Sequence, residues 1–451
     1  NRKDKSVVAL ILLHTFATRE VINNAATMNP WIVYGFGAYV ISFAFFTYYC
    51  MLADPSKSRL AHLFTIELPD KLRTKATGLI GANNVNIITT VGDRFLSIVY
   101  LTIVGGSWIV IFTYTYPWID ESKGYVSSYH KIVGVIVFST CIASWRFASK
   151  QPPGVITSHS LEKYDNYPYD GVIFAKDRIC PTVGIPKLAR SKYDRFQGIH
   201  VSKFDHFCGW IYNSVGEENY RWFLLFLVVH VGMCAYGTVI LSYLFHYEIE
   251  NNKLWDVTFY NRVNGEEFKA TSYVVFQFLF QKHKMQAGVL LLISVMAFTL
   301  TLFLAYHVWI ASRGMTTNET VKWDQVKKWH KNELKQYKKA VKEGLIVEGE
   351  DESNTSKPIV SDGDVTCTGA SGIAASSSST DDTKEESADD KITHPGPMPK
   401  NIYNGGLVEN WRDILYPRSM RPEAIERHRR AVKARGTKST KPIDPNKSKA
   451  S

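Results

Sequence analysis

Long stretches without charged side chains alternate along this chain with polar segments rich in lysine and arginine. Four of these stretches, residues 95–119, 132–145, 222–247 and 285–312, are predicted to span a membrane. A helix of about 20 apolar residues crosses the hydrocarbon core of a bilayer. The second stretch has only 14 residues, and it spans if the flanking lysine and arginine extend their charged ends to the surface.

Two further apolar segments precede the first of these four. Residues 30–53 carry no charge and are long enough to span, whereas residues 6–17 are short and are followed by Arg19 and Glu20. The chain begins with Asn1 rather than Met, so we expect that an N-terminal piece is missing. The pattern predicts an all-α polytopic membrane protein with four core transmembrane helices, one or two N-terminal ones, and a small irregular cytosolic domain between core spans 2 and 3.

The loops orient this set of helices. Residues 54–94 and 146–221 are rich in lysine and arginine, whereas residues 120–131 are short and nearly neutral. Positively charged loops stay on the cytosolic side. The segment 148–221 and the C-terminal tail are therefore predicted to be cytosolic.

The tail divides into segments of different composition. Residues 320–345 have apolar side chains at helical spacing opposite a lysine-rich face, which fits either a helix on the membrane surface or a charged helix packed on its own domain. Residues 350–400 are rich in Ser, Asp, Gly and Thr and predict a disordered linker. Residues 401–417 again contain aromatic and aliphatic side chains, and residues 418–451 predict a mobile basic tail.

The predicted organisation has nine parts. They are residues 1–53 (N-terminal membrane segments), 54–94 (cytosolic loop), 95–147 (core spans 1 and 2), 148–221 (cytosolic domain), 222–312 (core spans 3 and 4), 313–349 (basic helix), 350–400 (linker), 401–417 (packing motif) and 418–451 (basic tail).

Charge and cysteine content narrow the function. The formal net charge of +11 suits nucleic acid or an anionic membrane surface, and the apolar spans decide for the membrane and against nucleic acid. The six cysteines show neither pairs nor Cys-x-x-Cys spacing, so they predict neither disulfides nor a thiolate metal site. The four core spans carry no Asp, Glu, Lys or Arg between their ends, and His230 and His307 are titratable side chains within them. A transporter is expected to have charged residues inside the membrane, so it is a remote alternative.

The sequence Asp205-His206-Phe207-Cys208 holds the parts of an activated nucleophile. A thiol reacts as the thiolate, and an imidazole oriented by a carboxylate can take its proton at neutral pH. Successive residues of a strand point to opposite faces, and a helix turns Cys208 away from His206. The sequence therefore predicts an irregular loop here. A buried cysteine packed as a small apolar residue is the alternative.

The surroundings of these residues resemble the DHHC-type protein S-acyltransferases (palmitoyltransferases). Asp205, His206 and Cys208 match three of the four signature residues. Further matches are a basic stretch (Lys187, Ala189, Arg190, Ser191, Lys192), a spacing after the cysteine (Trp210, Asn213, Gly216, Asn219, Phe223), a turn (Pro153, Gly154), a Thr-Thr-x-Glu motif (Thr316, Thr317, Glu319) and a C-terminal motif (Asn401, Tyr403, Gly406). The agreement extends over most of residues 95–417, and it is specific because several weak motifs coincide.

The chain departs from the family at the zinc ligands. Members of the family hold the cytosolic domain with two zinc ions, each bound by three Cys and one His. Here the positions of the first site are Cys180, Val183, Tyr193 and His200, and those of the second are Asp194, Gln197, Phe207 and Ser214. These side chains do not provide four suitable donors for either site. We therefore expect no zinc, with packing of Tyr193, Phe196 and Phe207 and pairing of Asp194 with a Lys or Arg in its place.

The resemblance implies transfer of a palmitoyl group from acyl-CoA to cysteines of substrate proteins through an acyl-enzyme at Cys208. It implies His206 as general base and Asp205 as its orienting group, with no cofactor. Lys187, Arg190, Lys192 and Trp210 are candidates for binding acyl-CoA, although basic residues near headgroups and an interfacial tryptophan explain them equally well.

The resemblance also implies structural roles and a location. Asn213, Thr316, Thr317, Glu319, Asn401 and Tyr403 are interpreted as structural. The family implies an endomembrane location, in the endoplasmic reticulum or Golgi. An accessory subunit is a possible further partner. A catalytically inactive scaffold or adaptor is the competing function, and failure to form an acyl-enzyme at Cys208 would favour it.

Overall fold

The computed structural model describes residues 94–260, 267–344 and 394–439, with short pieces at 59–63, 67, 71, 92, 357–360 and 365–368. The predicted N-terminal membrane segments of residues 1–53 lie outside the described residues, as does most of the predicted linker. Two compact units form. The first comprises Asn1–Thr140 and His230–Thr299, and the second comprises Cys141–Val229 and Leu300–Ser451.

Helices predominate in the described part of the chain. In chain order they are α1 Arg59–His62, α2 Phe95–Val110, α3 Tyr116–Glu121, α4 Tyr129–Lys150, α5 Leu161–Tyr164, α6 Tyr220–Asn251, α7 Ser272–Lys282, α8 Lys284–Ser312, α9 Thr317–Lys342, α10 Leu407–Leu415 and α11 Pro422–Ser439. A π-helical stretch, Ile111–Thr115, joins α2 to α3, and Arg418–Met420 is a 3₁₀ turn.

Nine short strands accompany the helices in the described residues. They are β1 Val155–Ile156, β2 Lys192–Asp194, β3 Ile199–Val201, β4 His206–Cys208, β5 Asn213–Val215, β6 Thr258–Tyr260, β7 Glu267–Lys269, β8 Lys357–Val360 and β9 Val365–Thr368. They form one three-stranded sheet in the order β1-β3-β2 and three two-stranded hairpins.

The prediction of four core membrane spans is confirmed. Four helical segments are long and apolar enough to cross a bilayer, Phe95–Glu121, Tyr129–Lys150, Tyr220–Asn251 and Lys284–Ser312. The second extends beyond the predicted 14-residue apolar core at both ends, to 22 residues. At a rise of 1.5 Å per residue this gives about 33 Å, enough for a hydrocarbon core of about 30 Å.

In the first unit, aromatic and aliphatic side chains pack between the ends of the helices. One cluster is formed by Trp118, Ile119, Val126, Leu241, Leu244 and Val289. The Trp118 ring stacks on His283 with 4.0 Å between the ring centroids. A second cluster joins Leu254 to the apolar face of α7, whose first turn is capped because Val274 N donates to the Thr271 hydroxyl. The segment between core spans 3 and 4 therefore has a folded core of its own.

In the second unit, the predicted irregular domain contains the first five strands. The expectation of an irregular loop around Cys208 is wrong, because His206–Cys208 is strand β4, paired antiparallel with β5. Residues two apart in a strand share a face. His206 and Cys208 therefore project to the same side, and Asp205 lies just before the strand.

A close approach of backbone segments fixes the exit of the β4-β5 hairpin. A Cβ atom on Gly216 would lie 2.5 Å from the carbonyl oxygen of Pro153, so a side chain is excluded there. Gly154 has a φ of +98°, which favours glycine. Its carbonyl accepts from Ser202 N, and Glu218 N donates to Pro153 O. These glycines let the Pro-Gly turn pack directly against the start of α6.

Helix α9 is packed on its own unit through its apolar face. Trp323 and Val326 join a buried cluster with Tyr167, Ile173, Phe174, Ala189 and Tyr403. The lysines of the opposite face, Lys327, Lys328, Lys331, Lys335, Lys338, Lys339 and Lys342, are exposed. Of the two interpretations of this helix, packing on its own domain therefore accounts for the apolar face.

The C-terminal segment folds back onto the same unit. Asn401 donates to Arg313 O, and the Tyr403 hydroxyl donates to Pro168 O at 3.0 Å. The expectation of a mobile tail from residue 418 is wrong up to Ser439, since Pro422–Ser439 is helical and Ala424 is buried. Arg418 pairs with Asp413, which anchors the start of this helix.

A buried ion pair connects the β-rich domain to α9. Arg190 donates to both carboxylate oxygens of Glu319, at 2.6 and 2.7 Å, and to Gly314 O at 2.8 Å. The two side chains are only 2 % and 1 % exposed. The guanidinium also lies over the ring of Tyr403, 4.6 Å from its centroid. Such a pair stabilises the fold only while both partners are present.

We expect Arg190→Met to lower the free energy of unfolding by about 3–5 kcal/mol, because it leaves the Glu319 carboxylate buried without its cation. The double variant Arg190→Met/Glu319→Leu is expected to lose less than the sum of the single variants. Denaturant unfolding of the detergent-purified protein measures both. Arg430→Ala, which breaks an exposed pair with Glu426, is the control, with about 0.5 kcal/mol or less expected. Equal small effects at Arg190 and Arg430 would contradict the prediction.

Candidate active site

Asp205 is a buried carboxylate at the N-terminus of α9. Its Oδ1 accepts from Thr317 N and its Oδ2 from the Thr317 hydroxyl, both at 2.8 Å. Oδ2 also accepts from Nδ1 of His206 at 2.7 Å. Burial acts to raise the pKa of Asp205, but the hydrogen bond and charge of His206 outweigh burial and lower that pKa below its ordinary value. Asp205 is therefore held as a carboxylate.

The Thr-Thr-x-Glu sequence builds the helix end that receives Asp205. Thr316 is the N-cap, and its hydroxyl accepts from Glu319 N while its own N–H donates to the Glu319 carboxylate. This reciprocal capping box satisfies the first free N–H groups of the helix. Glu319 thus caps α9 and pairs with Arg190 at the same time, and Thr317 is left to bind Asp205.

His206 is oriented by Asp205 toward Cys208. Because Nδ1 is bonded to Asp205, the other ring nitrogen is left for the Cys208 sulfur, whose interaction with the ring acts to raise the pKa of His206. Burial acts to lower the pKa of His206, but the bonds to Asp205 and Cys208 outweigh burial and raise the pKa to about 10. An imidazolium beside the sulfur stabilises a thiolate. His206 remains partly exposed, at 24 %.

Cys208 is held by the β4-β5 hairpin on the end of α4. It pairs with Asn213 across the hairpin. The Asn213 amide donates to Ala148 O at 3.0 Å and Gln151 O at 2.9 Å. Asn213 therefore satisfies free carbonyls at the end of α4 and fixes the strand that faces the nucleophile, as its structural interpretation predicts.

A second histidine lies at this site. The ring of His307 in α8 is 5.8 Å from that of His206, and Phe223 contacts both rings. One donor atom each of Asp205, His206 and His307 lie within 4.8 Å of one another. A metal does not suit them as they stand, because Asp205 is already bonded to His206 and Thr317, and Nδ1 of His307 to the Tyr220 hydroxyl. Asp205 and His206 are hydrogen-bonded to each other, and the His307 ring lies beside them.

Part of this chain matches a known protein family. Residues 173–324 match the family model described as DHHC palmitoyltransferase. This part of the chain is therefore similar to the DHHC palmitoyltransferase domain. The matched residues include the β4-β5 hairpin and the start of α9. With its four span-length helices, the chain is a multi-pass membrane protein.

Several curated relatives carry palmitoyltransferase names. The chain is 30 % identical to Palmitoyltransferase SWF1 of Yarrowia lipolytica over 47 % of this chain and 53 % of the relative. It is 34 % identical to Palmitoyltransferase swf1 of Schizosaccharomyces pombe over 41 % and 48 %, and 30 % identical to Palmitoyltransferase ZDHHC4 of Mus musculus over 44 % and 56 %. The chain thus spans about half the length of these relatives.

The residues at the family's second zinc site come together in this DHHC domain, but they do not fit a metal. The Ser214 hydroxyl donates to Asp194 at 2.5 Å, and Ser214 N donates to the Gln197 side-chain oxygen at 3.1 Å. Phe207 stacks on Phe196 with ring centroids 4.7 Å apart. A phenyl ring supplies no donor, the Ser214 hydroxyl and Asp194 are bonded to each other, and the Gln197 oxygen is bonded to a backbone N–H. The expected pairing of Asp194 with a Lys or Arg is wrong, since its partners are Ser214 and Phe196 N.

The first zinc position is filled with apolar side chains. Cys180 is 1 % exposed and lies in a cluster with Ile156, Tyr164, Ile185 and Leu188, against which Tyr193 packs. Val183 is 40 % exposed and supplies no donor. A tetrahedral zinc site needs four donors, so this group of residues does not fit a zinc ion either.

The four candidate residues for binding acyl-CoA differ in burial and contacts. Arg190 is buried in its ion pair with Glu319, and this position is at odds with binding CoA phosphates. Lys192 donates to Asn318 in the first turn of α9, and Lys187 is half-buried. Trp210 is 46 % exposed, and its carbonyl accepts from Trp145. Lys187, Lys192 and Trp210 remain candidates by their exposure.

Sequence reasoning did not assign Tyr220 or His307 to the site. Both lie in apolar membrane helices, 87 residues apart, and no local motif joins them. The one available signal was the presence of His307 in an otherwise uncharged span. A titratable side chain in such a span is a functional candidate by default.

The raised pKa of His206 predicts an unusual pH dependence for the reaction of Cys208 with iodoacetamide. We expect the rate to rise less steeply with pH than in His206→Ala, because the imidazolium beside the sulfur favours the thiolate. In His206→Ala the rate is expected to rise about tenfold per pH unit below the ordinary thiol pKa of about 8.5. Mass spectrometry of the Cys208 peptide measures both rates, and the exposed His159→Ala serves as control.

The raised pKa of His206 also determines how the free energy of unfolding depends on pH. The folded-state pKa of His206 lies above the ordinary imidazole value, so its stabilising interactions are complete below about pH 6.5 and are lost as the pH rises through about 10. An alkylation profile of the parent protein as steep as that of His206→Ala would contradict the ion-pair interpretation.

Proposed function

We propose that this chain is a protein S-acyltransferase that transfers a long-chain acyl group, such as palmitoyl, from acyl-CoA to cysteines of substrate proteins. The observation that carries the proposal is the relay from Thr317 through Asp205 and His206 to Cys208. It supplies an oriented base and a positively charged neighbour for a thiolate, which are the requirements of nucleophilic cysteine catalysis.

In the first step, the Cys208 thiolate attacks the thioester carbonyl of acyl-CoA. A new sulfur–acyl bond forms at Cys208, the bond to the CoA sulfur breaks, and the CoA thiolate takes the proton of the His206 imidazolium. His206 is then neutral and remains bonded to Asp205. The acyl chain is bound in the apolar helix bundle, where burial contributes about 0.8 kcal/mol per methylene.

In the second step, neutral His206 takes the proton of a substrate cysteine. The resulting thiolate attacks the acyl group on Cys208, and Cys208 leaves as a thiolate beside the regenerated imidazolium. The ion pair of the resting site is restored, so no external acid or base is consumed. Asp205 keeps the same ring nitrogen of His206 bonded throughout.

We further propose a location and partners. The lysine- and arginine-rich loops support a cytosolic position for residues 148–221 and for the tail. Substrates are then cytosol-facing cysteines of membrane or peripheral proteins, and the membrane is that of the endoplasmic reticulum or Golgi. Lys187, Lys192 and Trp210 are proposed to contact the acyl-CoA, with no nucleic-acid partner.

The test is labelling in membranes with an alkyne-bearing palmitoyl-CoA analogue, which keeps any accessory subunit present. We expect hydroxylamine-sensitive label on the parent protein, none on Cys208→Ser, and at least about tenfold less on His206→Ala, since general base catalysis contributes about 10²–10⁴-fold. Cys180→Ser is the matched control, because that buried cysteine lies outside the relay. Equal label on the parent and Cys208→Ser, or none on either, would favour a catalytically inactive scaffold.

We propose in addition that hydrogen bonds and aromatic stacking replace structural zinc in the cytosolic domain. The donor sets at both family positions support this, since one contains Phe207 and the other Val183. The cluster of Asp194, Gln197 and Ser214 would then hold the strands together, as a zinc ion does in members of the family.

Purified protein is therefore expected to contain far less than one zinc ion per chain and to unfold at the same temperature with and without a strong chelator. Asp194→Ala is expected to cost about 1–3 kcal/mol, because it leaves the buried Ser214 hydroxyl without its acceptor. The exposed Asp324→Ala is the matched control, with little change expected. Metal analysis and thermal unfolding give both results. Stoichiometric zinc would overturn the proposal.

A further inference from the structure

His307 is a buried histidine that the relay described above does not include. It lies near the end of α8, and its residue is 1 % exposed. Its Nδ1 is 3.0 Å from the Tyr220 hydroxyl at the start of α6. A tyrosine that donates to Nδ1 fixes the tautomer with the hydrogen on the other nitrogen. The neutral ring then presents an N–H group on its far side.

Aromatic side chains hold this ring in place. Phe303 lies edge-on at 4.6 Å between centroids, Phe223 at 5.0 Å, and Tyr306 at 5.5 Å. Phe223 in turn packs edge-on against His206 at 5.1 Å. His307 and Phe223 therefore form the surface against which the His206 ring rests.

The chemistry of the pair explains what such a ring contributes. An imidazolium and a thiolate in an apolar surrounding are costly unless polar groups replace the lost water. A donor atom of His307 lies within 4.8 Å of donor atoms of both His206 and Asp205. A phenyl ring at this place would pack equally well but would offer no dipole to the charged pair.

We propose that His307 is a positioning residue that holds the His206 ring in place and offers its N–H group to the anionic side of the relay at Asp205, with Tyr220 holding it in the required tautomer, and so maintains the charged pair of His206 and Cys208. The inference deepens the proposed function, on which it rests for the nucleophilic role of Cys208. The titratable groups that face the two rings are Asp205, Cys208, Tyr220 and Tyr306. Of these, Asp205 is held as a carboxylate by His206 and Thr317.

The experiment measures the rate of Cys208 alkylation against pH in the full chain, in detergent or nanodiscs. For His307→Phe, which keeps an aromatic ring, we expect the midpoint of the profile to appear about one pH unit higher and the rate below the midpoint to fall about tenfold. Tyr220→Phe is expected to move the profile in the same direction by less. His307→Gln, which keeps a donor and an acceptor, is expected to restore part of the parent rate.

A histidine–tyrosine pair elsewhere in the membrane helices supplies the matched control. In the first unit, the Tyr100 hydroxyl is 2.7 Å from Nε2 of the buried His230. His230→Phe removes the same type of bond from a unit that does not contain Cys208, so the alkylation profile is expected to stay unchanged. Thermal unfolding of every variant separates a loss of fold from a loss of charge stabilisation. If His307→Phe fails to fold, Tyr220→Phe, which removes a single oxygen, gives the result.

The outcomes separate the inference from the proposed function. Alkylation needs no acyl donor. A shifted profile in a protein that forms no acyl-enzyme would therefore support the role of His307 and contradict the proposed acyltransferase function. An unchanged profile in folded His307→Phe and Tyr220→Phe, together with a normal acyl-enzyme, would overturn the inference alone. A profile equally shifted in His230→Phe would reduce the effect to general packing and also overturn it.

Discussion

The end of one helix fixes the charges of the whole catalytic unit. The first turn of α9 receives Asp205 through Thr317 and supplies Glu319 to Arg190, so a single set of backbone N–H groups positions two buried carboxylates. A helix N-terminus favours negative charge. Rotating or shifting α9 would unpair Arg190 and release the group that orients His206. Stability and catalytic geometry therefore depend on the same four residues.

Side-chain contacts hold the strands of the cytosolic domain together at the positions where the family has zinc ligands. A metal fixes strands by pulling four side chains to one point. Here the strands β2 and β5 are tied by Asp194 and Ser214, while Phe207 of β4 is clamped between Phe196 and Tyr212. Phe207 lies between His206 and Cys208 and points to the opposite face of the strand. Its packing consequently sets the direction of both reactive side chains.

Local chemistry was predictable from the sequence, and long-range pairing was not. Asp205, His206 and Cys208 stand together in the chain, and the apolar spans are visible by length alone. Thr317 is 112 residues from Asp205, and Glu319 is 129 from Arg190. One sequence carries no record of such contacts. Arg190 was therefore interpreted as a phosphate ligand, although burial had made it a structural cation.

The expectation of an irregular loop around Cys208 failed for a different reason. The alternation of a strand was applied to neighbouring residues, whereas His206 and Cys208 are two apart and share a face. The tail was misjudged from composition, since Arg418 and Arg421 are neutralised by Asp413 rather than left to solvent. Charge counted along a chain does not tell which charges are paired.

The return of the C-terminal segment has a consequence for synthesis. Tyr403 closes over the guanidinium of Arg190 and reaches Pro168, some 235 residues earlier in the chain. A ribosome makes residue 208 long before residue 403. During that interval the cysteine is present, but the surroundings that arm it are incomplete. The order of translation thus delays the complete surroundings of Cys208 until residue 403 has been made, which is after all four span-length helices.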